Sequence, residues 1–558
     1  MSVSQILTEL LDNELPRSVQ IFAPEVVLCL SIVVMLLVRL FEAHHRFPMS
    51  AVALIGSLLT FIGVFTQFMY IKVGVDNNVL KALYDVWGIT PEGVGTSGEY
   101  FTGLLLHDQF AVFFRLGLSL FLVLMVALTV LSGIPDQEDG QDFYSLLFGA
   151  TLGMMMATGT NHLLMFFLSV EMMSVPSFAM VGFQKGRRQA SEAALKYVIY
   201  GAGAAGVMLY GLTLLAGLMG TANMPELADR LVLLMGEGGL SPRNPMAVTF
   251  VLAILMITAG LAFKLSLVPF HFWCPDAFEG ASAEVCGFLS VASKAAAFAL
   301  LVRFVLAFQG SAEILGQTGL YFGIALGVLS IVTMTYGNLA AYAQDNLKRM
   351  LAYSTIAHAG YMVMSVSAMM VLLSAPASSP NRLLQAEHAM EGLMYYLAVY
   401  LFMNLAAFAC VAMIRNEIHS EDIEAYRGLF SGNGTAKVLC LCLATSFFSL
   451  VGLPPLGGFF AKFMIFNSAY QAGHVHWFMW VVLAFGGLNT VFSLFYYLRV
   501  LKAMFIAAPV EDAHPLQVPG LVGAFVALIT VPILAFGATP MMGYLSATAM
   551  YVAESLFL

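Results

Sequence analysis

Charge is scarce in this sequence: Asp, Glu, Lys and Arg make up 10% of its 558 residues. Soluble domains carry about 25%, because each needs a charged surface, so a soluble multidomain protein is excluded. Cysteine is scarce too. The six (Cys29, Cys274, Cys286, Cys410, Cys440 and Cys442) sit mainly in apolar segments and none forms a CxxC. That pattern indicates neither a disulfide frame, a zinc site nor an iron–sulfur cluster in this chain. The residues before Pro24 are polar and acidic, unlike a cleavable signal peptide, so the first apolar run is expected to act as the signal itself. The formal net charge of −9 singles out no partner, since the acids cluster in loops, and nucleic acid is not expected. What the chain has in abundance is apolar sequence: 60% of residues are hydrophobic and mean hydropathy is +0.86. The expected fold class is all-α, a polytopic membrane protein.

About fourteen runs are long enough to cross a bilayer as helices. They begin near Ile21, Ser50, Gln109, Phe143, His162, Ser191, Met246, Glu284, Leu320, Met350, Met390, Lys437, Trp477 and Val518. Basic residues are unevenly divided between the two sides. Arg39, Arg46, Lys185, Arg187, Arg188, Lys348, Arg349, Arg415, Arg427, Lys437, Arg499 and Lys502 fall on one side, against Arg17, Lys72, Lys81, Arg230, Arg243 and Arg382 on the other. The positive-inside rule places the first side in the cytoplasm and both termini outside. The sequon Asn433-Gly434-Thr435 then lies in the cytoplasm and is discounted.

One stretch organises the rest: Ala262-Phe263-Lys264-Leu265-Ser266-Leu267-Val268-Pro269-Phe270-His271. A lysine inside an apolar run costs roughly 2.5–3.5 kcal/mol on insertion scales. Five residues later Pro269 cannot donate its N–H and breaks or kinks the helix. Broken helices at membrane depth are tolerated where the freed carbonyls meet protein or water, so this combination reads as an ion site; the bland alternative is a lysine snorkelling to the interface. A shift of 185 residues lays Phe263–Phe270 over Phe448–Pro455, with Pro269 on Pro454. Lys196–Tyr200 and Tyr396–Tyr400 pair similarly. In the predicted topology the two broken helices enter from opposite sides, the pattern of inverted repeats.

Further charges lie within apolar runs: Glu171, Lys196, Lys294 and Lys462, with Arg115 nearer the outer end of its span. Set in one file, such groups can hold and pass protons. His271 and His358 titrate near neutrality, and Ser354, Thr355 and Tyr396 are candidates to hold connecting water. The alternatives are plain. Glu171 and Lys264 can form a structural ion pair, Lys196 can snorkel, and His358 can serve only as a packing donor. Gly201-Ala202-Gly203-Ala204-Ala205-Gly206 matches GxGxxG but lies within an apolar run, so it reads as a close-packing surface rather than a dinucleotide site.

The segments SVEMMSVPSFAMVGF around Glu171, EAALKYVIYGAGAAGVMLYG around Lys196 and FKLSLVPFHFWCPDAFEGA around Lys264 resemble subunit N of bacterial NADH:quinone oxidoreductase, respiratory complex I. So do VASKAAAF around Lys294, AQDNLKRMLAYSTIAHAGYM around His358 and GLPPLGGFFAKF around Lys462. Pro24-Glu25 and the run Asp108–Phe114 fit the same family. The resemblance covers nearly the whole chain and implies the antiporter-like fold shared with subunits L and M and with Mrp-type antiporters. A lysine on the second broken helix suits subunit N better than subunit M, and the long lateral helix of subunit L is absent.

Carried over by motif, the resemblance implies that Glu171 and Lys264 are a charge-modulating pair, Lys294 the central relay and Lys462 the terminal donor or acceptor. Lys196 matches a further family lysine, His271, His358 and Tyr396 are possible relays, and Pro269, Pro454 and Pro455 mark the helix breaks. It implies a domain plan of 1–142, a first repeat at 143–310, a second at 311–508 and a C-terminal span at 509–558. The chain is expected to bind no cofactor or metal itself, with NAD(H), FMN, iron–sulfur clusters and quinone in other subunits. Expected partners are the lipid bilayer, antiporter-like subunit M and small membrane subunits, in a bacterial inner membrane. Two other classes stay open: an Mrp-type cation/proton antiporter subunit and a structural membrane spacer. The loops at Asn77–Tyr100 and Met219–Pro245 look long for the family.

Overall fold

The computed structural model describes residues 14–41, 48–73, 98–135, 139–184, 186–235, 239–310, 312–376, 379, 381–432, 434–509, 516 and 518–557. Most of the loop at Asn77–Tyr100, the sequon's Asn433, and Arg46, Lys81 and Lys185 lie outside the described residues.

In chain order the elements are α1 (Leu15–Ile21), α2 (Ala23–Leu40), α3 (Met49–Val73), β1 (Gly98–Tyr100), β2 (Leu105–His107), α4 (Gln109–Ser132), α5 (Gly140–Thr158), α6 (Leu163–Val181) and α7 (Arg188–Met219). Then come α8 (Leu227–Met235), α9 (Pro245–Leu265), α10 (Trp273–Gly280), α11 (Ala283–Leu306), α12 (Glu313–Ala341), α13 (Leu347–Ser374) and α14 (Arg382–Ile418). The chain finishes with α15 (Gly434–Val451), α16 (Gly457–Gly473), α17 (Phe478–Phe505), α18 (Gly520–Ala535) and α19 (Thr539–Glu554). Among the described residues 12 helices are long and apolar enough to cross a membrane. The pair α18 and α19, bent by 78°, makes one more, and the packed 19-residue α5 brings the total to about the fourteen that the periodicity predicts. The C-terminal segment is therefore a bent pair of helices rather than one straight helix.

In a bilayer apolar side chains face lipid as readily as protein, so small and polar residues mark the interior helices. α11, α13 and α14 are enclosed on nearly every side, whereas α2, α7 and α17 turn Leu, Val, Ile and Tyr outward. α14 has 37 residues, about 55 Å at 1.5 Å each, and packs against α11, α13, α15, α16, α18 and α19. The described residues of the loop at Met219–Pro245 include a 3-10 turn at Met224–Glu226 that leads into α8. β1 and β2 pair antiparallel, Gly98 opposite His107. Of the GxGxxG glycines only Gly201 packs tightly: a Cβ there would sit 2.4 Å from Phe178 Cζ, while at Gly203 or Gly206 it would meet nothing. The close-packing reading thus holds for one glycine, and the other two lie on the outward face of α7.

The order helix, helix, long helix, broken helix, helix occurs twice, as α5–α11 with α9 and α10 as the broken helix, and as α12–α17 with α15 and α16. Five spans is an odd number, so consecutive units of this kind enter the membrane from opposite sides.

Candidate functional site

At the first break α9 stops at Leu265, Ser266 takes a left-handed φ of 58°, and Leu267 N donates back to Ala262 O at 2.8 Å. A helix end leaves carbonyls without partners. Trp273 Nε1, on the far side of the break, donates to Phe263 O at 2.9 Å. Val268 N donates to Thr333 Oγ1 of α12 at 3.1 Å. At the second break α15 stops at Val451, Gly452 has a φ of 90°, and Leu453 N donates back to Phe448 O at 3.0 Å. The matching bonds superpose Ala262 on Phe448 and Leu267 on Leu453, a shift of 186 residues. The expected shift of 185 is therefore corrected by one, and Pro269 corresponds to Pro455, not Pro454. Phenylalanine-to-phenylalanine matching drew the sequences into the neighbouring register; the backbone turn sets the true one.

Lys264, one residue before the end of α9, is 1% exposed and donates to Ser174 Oγ of α6 at 3.1 Å. Ser174 lies one turn beyond Glu171, which is partly buried and close enough for its charge to act on Lys264. No direct ion pair joins Glu171 and Lys264 among the described residues; the hydroxyl of Ser174 takes the ammonium instead.

Lys294 of α11 is likewise 1% exposed and donates to the backbone carbonyl of Thr355 in α13 at 2.8 Å. One turn along α13, His358 Nδ1 lies 2.6 Å from Tyr396 Oη, and its Nε2 lies 3.5 Å from Tyr497 Oη. Tyr497 in turn hydrogen-bonds Ser354. The rings of Tyr361, Tyr396 and Tyr400 surround His358 at centroid distances of 5.9, 6.0 and 5.3 Å. Lys462 of α16 completes the series. Its ammonium donates to Val451 O at 2.9 Å and sits 4.6 Å from the Tyr361 ring centroid. The negative end of the α15 dipole and the aromatic face both favour a cation there.

Two sequence candidates stand apart from this file. Lys196 has a side chain 41% exposed, ion-paired with Glu192 at 2.9 Å and Asp276 at 2.8 Å. Asp276 and Glu279, on α10, also clamp Arg349 at 2.7 and 2.5 Å. Together they line a polar cleft of about 210 Å³. His271 is buried on the break loop with its ring 4.5 Å from that of Tyr336 and Nδ1 without a hydrogen-bond partner among the described residues.

Sequence reasoning missed several interior groups. Arg115, noted only as a charge within a span, forms a buried ion pair with Glu25 and approaches His107 Nδ1 at 3.2 Å. Burial, and the Arg115 guanidinium beside it, hold the His107 ring well below the usual histidine range, at about 3. Lys348 is buried against Glu421 at 2.9 Å. Glu284 is fully buried with neither carboxylate oxygen hydrogen-bonded among the described residues. Ser174 and Tyr361 had no signal beyond lying in apolar runs. Among the described residues no cluster of His, Cys, Asp and Glu suits a metal ion.

The family described as NADH:quinone oxidoreductase/Mrp antiporter, TM, matches residues 160–492. NADH-quinone oxidoreductase subunit N of Anaeromyxobacter sp. (strain Fw109-5) is 40% identical over 465 residues, 80% of this chain and 85% of the relative. A chain of respiratory complex I from Thermus thermophilus with bound aureothin is 28% identical, covers 93% of this chain and 97% of its own, and superposes with a TM-score of 0.68. A chain of the Mrp complex from Dietzia sp. DQ12-45-1b has a TM-score of 0.75 at 16% identity, covering 96% of this chain and 97% of its own. That likeness is one of fold.

Proposed function

Because the chain belongs to the NADH:quinone oxidoreductase/Mrp antiporter family, among the subunit N members of complex I, we propose that Lys264, Lys294 and Lys462 carry protons across the membrane arm of that complex. One observation supports this reading above the others. Where a buried cation here is structural it meets a carboxylate, as Arg115 meets Glu25 and Lys348 meets Glu421. The three lysines instead touch a single neutral oxygen each. With no carboxylate fixed against it, an ammonium can exchange its proton with a neighbouring group without an ion pair having to break. A spacer whose charges merely hold helices together has no use for such contacts, since an unpaired buried charge destabilises the packing.

In this mechanism the chain itself makes and breaks only O–H and N–H bonds. Quinone reduction elsewhere in the complex shifts the balance between Glu171 and Lys264, with Ser174 holding the ammonium while the carboxylate moves toward or away from it. Lys264 changes its proton affinity and exchanges with Lys294. His358, between Tyr396 and Tyr497, lies between the Lys294 and Lys462 sites, and Lys462 exchanges with the outer side. Tyr396 is a direct partner of this relay. Lys196 and His271 act at its margin: Lys196 as a charge on the polar cleft, His271 as a titratable group on the break loop.

We place the repeats at 143–310 and 311–508, flanked by 1–142 and 509–558. The outward faces of α2, α7 and α17 are then available to lipid, to antiporter-like subunit M and to small membrane subunits. NAD(H), FMN, iron–sulfur clusters and quinone belong to other subunits, and the location is a bacterial inner membrane with both termini on the periplasmic side. In the assembled complex in vesicles, Lys264→Ala is expected to leave quinone reduction and assembly measurable while pumping, read by a pH-sensitive dye, falls by most of its amplitude. Pumping at the parental level would end the proton-site reading. Loss of assembly instead would favour the spacer, and co-purification without flavin and iron–sulfur subunits would favour an Mrp-type antiporter.

A further inference from the structure

Outside the lysine file, the most unusual group in the molecule is Glu284. It lies in the first turn of α11, where Ser282 Oγ caps the helix by accepting from Val285 N. Acids are common in first turns because the dipole favours them, but they ordinarily face water. Glu284 is 0% exposed, and both oxygens lack a hydrogen-bond partner among the described residues. Lys348, whose ammonium holds Glu421 at 2.9 Å and Ala281 O at 2.5 Å, makes no hydrogen bond to it. Cys286, two residues on, lies within reach of Glu284, Lys348, Glu421 and Cys274, with Arg415 behind Glu421.

A line of under-satisfied polar atoms leads from Glu284 toward Lys294. α11 and α14 run antiparallel, since Gly287 of one packs on Phe408 of the other while Lys294 and Tyr400 both approach Thr355. Gly287, one turn above Glu284, packs on Phe408; a Cβ there would lie 3.4 Å from Phe408 Cβ. Asn404, one turn from Phe408, therefore sits at a depth between Glu284 and Lys294. It is 1% exposed, with both Oδ1 and Nδ2 unpartnered among the described residues. One turn further, Tyr400 Oη lies beside Asn404 and beside Thr355, whose carbonyl holds Lys294, with no well-formed hydrogen bond to either among the described residues. Buried polar atoms of this kind are satisfied by water. Glu284 and Lys294 are ten residues apart on one helix, about 15 Å, too far for direct transfer and a span that a few waters bridge.

Resting on the proton-carrying reading of Lys294, we propose that Glu284 is the proton-loading carboxylate of this chain. It takes protons from the Lys348–Glu421 side, the face read as cytoplasmic, and delivers them to Lys294 along waters held by Asn404 and Tyr400. Hydronium gives its proton to the Glu284 carboxylate, leaving water and the neutral acid. The acid passes a proton to the next water, the chain relays it to the neutral Lys294 amine, and the ammonium and the carboxylate are left. No other bond changes.

The test uses the whole complex in vesicles, with quinone reduction and pumping measured together for Glu284→Gln, Glu284→Asp, Asn404→Leu and, as control, Lys294→Ala. Glu284→Gln keeps the shape and removes the acid, so pumping per quinone reduced should fall about a hundredfold, the low end for loss of a positioned acid–base group. Glu284→Asp should recover most of it, and Asn404→Leu should lower it several-fold with assembly intact. Normal pumping in Glu284→Gln beside a defective Lys294→Ala overturns the loading site and leaves the lysine file standing. Normal pumping in both overturns the file itself. Should Glu284→Gln prevent assembly, Asn404→Leu decides: pumping at the parental rate in that variant overturns the proposal.

Discussion

The two broken helices share one backbone and use it differently. Both turn through a left-handed residue, Ser266 or Gly452, with the same back-bond across the turn. In the first, the carbonyl of Phe263, which also accepts from Ser266 N at 3.0 Å, is held by Trp273, a neutral indole with one proton to donate, and the lysine precedes the break and reaches out to α6. In the second, the freed carbonyl of Val451 is held by the lysine itself, from the far side of the break. On the proposed proton-carrying reading, the first break is a fixed turn beside a proton site and the second is part of one, because deprotonating Lys462 would weaken the bond that satisfies its own helix end. Helix closure and protonation would then be coupled at one break and separate at the other.

The largest test of that contrast is Lys462→Ala. It removes the proposed proton carrier and orphans a buried carbonyl, which costs about 1–3 kcal/mol, so pumping should be nearly abolished and thermal stability of the complex lowered. Lys462→Arg separates the two effects. An arginine can still donate to Val451 O but scarcely deprotonates at any working pH. Stability should return while pumping stays low. Wild-type pumping in the arginine variant would mean that Lys462 supplies only a fixed field.

Next in size is the coupling at the first site. Glu171→Gln should lower pumping strongly and Glu171→Asp weakly. The double variant Glu171→Gln/Lys264→Ala should be hardly worse than the worse single, as expected for residues that act as a unit. Because Ser174 stands on the ammonium, Ser174→Ala should also reduce pumping, by less than Glu171→Gln. Additive losses in ln(rate) across the cycle would show that Glu171 and Lys264 work independently.

Much of this arrangement was legible in the sequence, since a lysine inside an apolar run next to a proline has few physical explanations. Lys264, Lys294 and Lys462 could be read because the membrane makes charge conspicuous. What could not be read was partnership. Glu25 and Arg115 are 90 residues apart in sequence, and neither position names the other. Glu284 was hidden by its place: an acid in the first turn of a helix looks like ordinary dipole compensation, and only the packing of α11 reveals that it is enclosed. The one-residue slip between the repeats had a usable signal, since Gly452 is the residue type a left-handed turn prefers. Its counterpart is a serine, which does not advertise that conformation.

A smaller effect is expected at the first cap. Trp273→Phe removes one neutral hydrogen bond and keeps most of the packing against Tyr197, whose ring lies 4.2 Å away. The cost should be about 1 kcal/mol of stability, seen as a lowered melting temperature, with the pumping rate little changed. A large loss of pumping would make the first break as proton-coupled as the second, and the contrast between them would fall.

The finest test exchanges the turn residues. Ser266 holds a φ of 58° with a side chain in place, a conformation costing about 1–2 kcal/mol for a residue with a Cβ. Ser266→Gly relieves that strain and in return gives the unfolded chain more freedom, roughly 0.5–1 kcal/mol. Stability and pumping should therefore stay close to parental. Gly452→Ala runs the other way. It introduces the left-handed strain at φ 90°, and its Cβ would lie 3.0 Å from Lys462 Cδ, so the lysine stem must shift and its ammonium is drawn off Val451 O. Stability should fall by about 1–2 kcal/mol, and pumping should fall with it, because the displaced group is the proton carrier. The discriminating quantity is the ratio of pumping to quinone reduction at equal assembly: lowered in Gly452→Ala, unchanged in Ser266→Gly. Equal ratios in the two variants would show that the turn at the second break does not set the position of Lys462.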